Sequence, residues 1–144
     1  ATARAIAQGT GAELVGVSTL RALAEGAKGG GAAERPVLAV LDARRGEAFV
    51  GGAVPPAAVT PAVLARIARP GMLAVGDGAV RFRDVLETSG ASVPADGSPL
   101  HRVSALSVAD LAAGAPPAGR EGVVPEYLRL PDAEIALRER TRPE

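Results

Sequence analysis

The run from Val37 to Val50 (Val-Leu-Ala-Val-Leu-Asp-Ala-Arg-Arg-Gly-Glu-Ala-Phe-Val) constrains the fold more than any other stretch. Its five leading apolar residues follow Pro36 and stop at Asp42. They read as a strand buried on both faces, because a strand that meets water on one face alternates instead. The charged residues after it form a turn. Gly46 is best suited to positive φ there, so Asp42 to Gly46 is predicted to fold back and let Glu47 to Val50 pair as an antiparallel partner. Such a hairpin puts two carboxylates, Asp42 and Glu47, and two guanidiniums, Arg44 and Arg45, at one corner.

Short helices and apolar strands alternate around this hairpin. Ala1 to Gln8 is Ala-rich and stopped by Gly9, which reads as the end of a helix whose start is not in the sequence. Leu14 to Val17 suggests a short strand, and Ser18 an N-cap for a helix from Thr19 to Ala24 that Gly26 ends. Gly29-Gly30-Gly31 reads as a flexible linker; it lacks the preceding strand and the Lys-Ser or Lys-Thr of a phosphate-cradling loop. Beyond the hairpin, Pro55-Pro56 breaks pairing, Thr60 caps a helix and Pro61 opens it, running to Arg69. Met72 to Val75 is predicted as a strand. Gly76-Asp77-Gly78 turns from it into a helix with Phe82, Val85 and Leu86 on one side, ending at Gly90. Residues 91–100 read as loop, Leu106 to Ala113 as a last helix, Val123 to Arg129 as extended, and 132–144 as a charged tail. These elements make an α/β domain on a mixed sheet with flanking helices.

Composition narrows the classes of function. Sixteen basic and sixteen acidic residues cancel, which gives no global attraction to a phosphate backbone and argues against binding RNA alone. There is no cysteine, so disulfides, thiolate catalysis and most structural zinc sites are excluded. No apolar run approaches the ~20 residues that span a bilayer, and a cytosolic chain is expected. Aromatics are 2% of residues, so the core must be built from Ala, Val and Leu, with a modest margin of stability.

The corner of Asp42, Arg44, Arg45 and Glu47 has two readings. It can be a structural ion-pair cluster, or Arg44 or Arg45 can project to grip a carboxylate or phosphate of a partner. Acid–base catalysis fits it poorly, because neighbouring arginines hold carboxylates ionised. Gly76-Asp77-Gly78 can present backbone N–H groups to a phosphate, or be a tight turn with Asp77 capping the next helix. His101, the sole histidine, is expected at the surface. Without HExxH or a GxSxG elbow, proteolysis finds no support. Tyr127, the sole tyrosine, is expected to pack its ring under the sheet, and Arg129 is a candidate partner contact. No residue pattern asks for a cofactor or metal.

Three motifs carry a resemblance. The run Leu-Asp-Ala-Arg-Arg-Gly-Glu-Ala-Phe, preceded by Val15 to Ala24 and followed by Pro125-Glu126-Tyr127-Leu128-Arg129, with Val75-Gly76-Asp77-Gly78 between, resembles the bacterial TsaB/YeaZ family. Proteins of that family support the synthesis of threonylcarbamoyladenosine in tRNA. The resemblance implies the actin-like fold, shared with sugar kinases, in which two related lobes face each other. Residues 1–33 would be a remnant of the first lobe, 34–122 the second, and 123–144 an extended segment and tail.

It also implies a noncatalytic subunit. Its expected partner is a homologous actin-like transferase of the TsaD type, with an ATPase of the TsaE type as a second candidate, and it would meet tRNA only through that complex. Pairing would use first-lobe helices, with Thr2, Arg4 and Ile6 as candidate contacts. A small-molecule kinase or ATPase of the same fold, and a self-associating module, are the alternatives. In isolation a homodimer or swapped oligomer is expected, formed through Ala1 to Leu23, where the Leu14 to Val17 strand would leave unpaired edge groups beside uncovered Ile6, Leu14 and Val15.

Overall fold

A computed structural model describes residues 2–32, 34–118 and 122–129. The charged stretch 132–144 lies outside the described residues, as does Ala1. The apolar run forms strand β1 (Val37–Asp42) and pairs antiparallel with β2 (Ala48–Gly52), with Val40 opposite Val50 and Asp42 opposite Ala48. A further strand, β3 (Ala57–Val59), adds antiparallel to β2, and β4 (Leu73–Val75) runs parallel to β1 on its other side. The sheet order is therefore β3-β2-β1-β4, and a parallel bridge from Leu73 to Ser92 begins to extend it past β4.

Side-chain alternation along β1 divides the core between two faces. Val37 and Ala39 pack with Leu73 and Val75 against Leu20, Leu23, Ala24 and Ala27 of helix α2 (Thr19–Ala27). Leu38 and Val40 point the other way, with Ala48, Val50 and Ala74. They meet Leu64 of helix α3 (Pro61–Ile67) and Leu86 of helix α5 (Arg83–Thr88). Both faces of β1 are thus covered, as its continuous apolar run requires. The fully buried large side chains are Leu and Val, each contributing about 1.5–3 kcal/mol through burial. Gly51 faces α2, where an added Cβ would lie 2.9 Å from Leu20 Cβ.

Several local expectations are corrected. Leu14 to Val17 is not a strand: among the described residues Leu14 makes an isolated antiparallel bridge to Ala118, and the ladder goes no further. Helix α2 runs through Gly26, and Lys28–Ala32 continues it as a wide π-type turn rather than a linker without fixed geometry. Ser18 and Thr60 have extended N-cap backbones but make no side-chain cap; the capping hydroxyls are Ser98 and Ser104, the latter ahead of helix α6 (Ala105–Ala113). The helix after Gly76 breaks at Phe82 (φ −104°, ψ 27°) into α4 (Asp77–Arg81) and α5. Val123 to Arg129 forms no strand. Tyr127 is 79% exposed rather than under the sheet. Both faces of the sheet are already occupied, and it is the neighbouring Leu128 that packs against the α2 cluster.

Candidate functional site

Strands β1 and β4 are parallel neighbours, so their carboxyl ends lie side by side, the place where open α/β sheets bind ligands. β1 ends in Asp42 and β4 runs into Gly76-Asp77-Gly78. Close approach dictates both glycines. Gly76 has φ +115°, and a Cβ there would fall onto the Val40 carbonyl oxygen. A Cβ on Gly78 would sit 2.6 Å from the Leu41 carbonyl carbon and 2.9 Å from the Asp42 nitrogen. With the turn seated against β1, Asp77 Oδ1 accepts hydrogen bonds from the Asp42 N–H (3.1 Å) and the Gly78 N–H (2.8 Å). The turn thereby ties one strand end to the next.

Asp42 accepts on both oxygens. Its Oδ1 takes the Arg44 N–H at 2.9 Å and its Oδ2 the Arg81 Nη1 at 3.0 Å, with Arg44 Nη1 at 3.6 Å. Its side chain is 12% exposed. The Arg44 backbone N–H, above all, lowers the carboxyl's pKa; partial desolvation opposes this, and the Arg81 and Arg44 guanidiniums add to the lowering. The hairpin tip holds Arg44 (φ 63°), Arg45 (φ 52°) and Gly46 (φ 78°) in succession in the left-handed region. At each arginine that conformation costs about 1–2 kcal/mol. The Asp42–Arg44 bond, the Ala43 N–H to Glu47 carbonyl bond (3.1 Å) and the Glu47 N–H to Arg44 carbonyl bond (3.0 Å) hold it.

Around the corner the pairings reach beyond the hairpin. Asp42 and Arg44 meet as anticipated, while the shorter guanidinium contact to Asp42 comes from Arg81 on α4. Glu47 pairs with Arg129 from the carboxyl-terminal segment at 3.0 Å, and Arg129 also donates to the Ala43 carbonyl at 3.2 Å. Arg81 was not singled out in the sequence, although its position four residues after Asp77, on the helix that leaves the turn, is the signal that could have found it. His101 is not a loose surface residue. It is partly buried, with Nδ1 accepting from the Gly76 N–H at 3.1 Å and Nε2 3.2 Å from the Pro94 carbonyl. Thr2, Arg4 and Ile6 lie exposed on helix α1 (Thr2–Thr10), and Arg4 Nη2 donates to the Val123 carbonyl.

In chemical terms the corner can hold an anion. The Arg44 side chain is 84% exposed and that of Arg81 49%, and Asp42, kept ionised, orients both. Among the described residues no three His, Cys, Asp or Glu side chains gather as metal ligands, and the oxygens of Asp42 are committed to nitrogen donors. A cleft of about 590 Å³ lies toward the opposite end of the sheet, beside Leu20, Ala24, Val37 and Gly52. None of the described helices is long and apolar enough to cross a membrane.

The model of the family described as TsaD, tRNA N6-adenosine threonylcarbamoyltransferase, matches residues 1–89. That is more than half the chain, and it runs from α1 through α5 with Asp42, Gly76, Asp77 and Arg81 inside it. The chain belongs to this family. No individual curated protein matches it.

Membership in the TsaD family makes the mixed sheet with flanking helices an actin-like one and places the chain in tRNA threonylcarbamoyladenosine biosynthesis. Two expectations are corrected. The match does not single out TsaB/YeaZ within the machinery. The expected noncatalytic role is overturned as well, since the TsaD family is that of the transferase, an enzyme.

Proposed function

We propose that the chain takes part in the transfer step itself, in which N6 of adenosine 37 in tRNA attacks the carbonyl of a threonylcarbamoyl adenylate. The N–C bond forms, the bond to the adenylate phosphate breaks, N6 loses a proton and AMP leaves. One observation carries this reading. Two adjacent parallel strands end in Asp42 and Gly76-Asp77-Gly78, within the family-matched residues, with the guanidiniums of Arg81 and Arg44 over them. The adenylate phosphate and the threonyl carboxylate are both anions, and oriented arginines suit either. Asp42 acts as the group that aims Arg81.

The same reading includes assembly with a homologous actin-like subunit and contact with tRNA through that complex. Exposed Ile6 (59%) and Leu106 (70%) favour self-association when the chain is alone.

The test is formation of threonylcarbamoyladenosine on tRNA by the chain reconstituted with the other subunits. Arg81→Ala and Arg44→Ala should each lower the rate about tenfold or more, the scale of one charge-assisted contact. Full activity in both variants would remove the corner from the reaction.

A further inference from the structure

The parallel ladder between β4 and the segment around Ser92 stops in an unusual way. Ser92 N–H donates to the Met72 carbonyl at 2.9 Å, and Ala74 N–H donates to the Ser92 carbonyl at 2.8 Å. In a regular parallel ladder the next two bonds would run from residue 94 to the Ala74 carbonyl and from the Gly76 N–H to the carbonyl of residue 94. The first is impossible because residue 94 is proline, which has no N–H. Gly76 and Pro94 are nonetheless joined, through an imidazole: the Gly76 N–H meets His101 Nδ1, and His101 Nε2 meets the Pro94 carbonyl. The ring stands between the two groups that the ladder would have paired directly.

Only one form of the ring completes this relay. Nδ1 must accept and Nε2 must donate, which is the neutral tautomer with the proton on Nε2. Both sides of the wedge are fixed. The short helical turn Pro99–His101 carries the ring, with Ser98 Oγ accepting from the Leu100 N–H. Arg83 draws the other strand aside by donating to the Val93 carbonyl at 3.0 Å and the Pro94 carbonyl at 2.6 Å. The Gly76 N–H is the first polar group of the turn whose Asp77 ties down the Asp42 backbone.

We propose that His101 is a positioning residue: its neutral imidazole, inserted between Gly76 and Pro94, sets the Gly76-Asp77-Gly78 turn and through it the Asp42–Arg81 pair. The inference deepens the reading of that corner as the substrate-facing edge and rests on it for its catalytic consequence alone. It assigns a role to a residue beyond the family-matched stretch, 25 residues in sequence from its partner.

The sole histidine makes the test direct. On the nitrogen-15-labelled full chain, NMR should show Nε2 protonated, Nδ1 bare, and a scalar coupling across the hydrogen bond between Gly76 N and His101 Nδ1. Amide exchange at Gly76 and Asp42 should rise about tenfold in His101→Leu, with exchange at Leu64 in α3 unchanged. His101→Asn keeps an acceptor near the Nδ1 position and should return both amides to within about threefold of the parent. Transfer activity should follow the same order, Leu lowest and Asn restored. The opposite tautomer, a missing coupling, or an Asn variant no better than Leu would overturn the proposal, and the parent spectrum decides even if the Leu variant fails to fold. Full activity of the Arg81 and Arg44 variants beside an intact Gly76–His101 coupling would instead sink the transfer reading and leave the relay standing.

Discussion

Asp42 and Glu47 are both paired carboxylates of one hairpin, yet their surroundings set different values on them. Asp42 is 12% exposed and accepts a backbone N–H from Arg44 and the Arg81 guanidinium, with the Arg44 guanidinium in ion-pair range, whereas Glu47 is 33% exposed and meets Arg129 alone among the ion pairs described. Removing Asp42 also frees the strained Arg44-Arg45 backbone that its Oδ1 restrains. Asp42→Ala should therefore cost about 1.5–3 kcal/mol and Glu47→Ala about 0–1 kcal/mol, read from urea midpoints. Equal losses would contradict this wiring. The lowered pKa of Asp42 fixes the sign of its pH dependence. A carboxylate whose folded pKa lies below its unfolded value stabilises the fold above the unfolded value, about 3.9, and that contribution is lost as pH falls through the folded one. The parent should therefore lose stability in acid below about pH 4 more steeply than Asp42→Asn, which urea titrations across that range would show.

At the scale of elements, the docking of α4 on the end of β1 can be isolated with two glycines. Gly78 touches the Leu41 and Asp42 backbone, so Gly78→Ala forces those elements apart and should cost about 1–3 kcal/mol. Gly71 has φ +86° but nothing within 4 Å of a built Cβ. Gly71→Ala should cost only about 1 kcal/mol of backbone conformation. Thermal melts of the pair would separate contact from conformation, and a Gly71 loss as large as that of Gly78 would refute the docking argument. Elements with a strong local signature were legible in the sequence: β1 from its apolar run, the hairpin from Gly46, α3 from Pro61, and β4 with its glycine turn. β3 was not, because Ala57-Ala58-Val59 after two prolines has little strand propensity and is a strand only by pairing with β2. The wiring of the corner was legible in part. Asp42 and Arg44 are neighbours in sequence, but Asp42–Arg81 and Glu47–Arg129 span 39 and 82 residues. No local periodicity marks a pair at that distance.

At the scale of the molecule, both faces of the sheet carry packed clusters, and large apolar side chains also stand exposed outside them. Leu14, which the sequence suggested as a bare strand residue, is half-buried and bridged to Ala118. Among the described residues the most exposed large apolar side chains are Ile6 on α1, Leu106 on α6, and Val124 and Tyr127 in the carboxyl-terminal segment, 59–79% exposed, with Val103 less so. Helix α1 buries only Ala7, and α6 buries no residue fully. Association of the isolated chain is therefore expected through helix faces rather than through an open strand edge. A side chain the size of Ile6 contributes about 1.5–3 kcal/mol when covered, so Ile6→Asp should weaken self-association by about tenfold or more. Light scattering across a concentration series, with the parent and Ile6→Asp side by side, measures this. A parent that stays monomeric throughout, or an Ile6→Asp variant that associates as strongly as the parent, would exclude α1 as the contact.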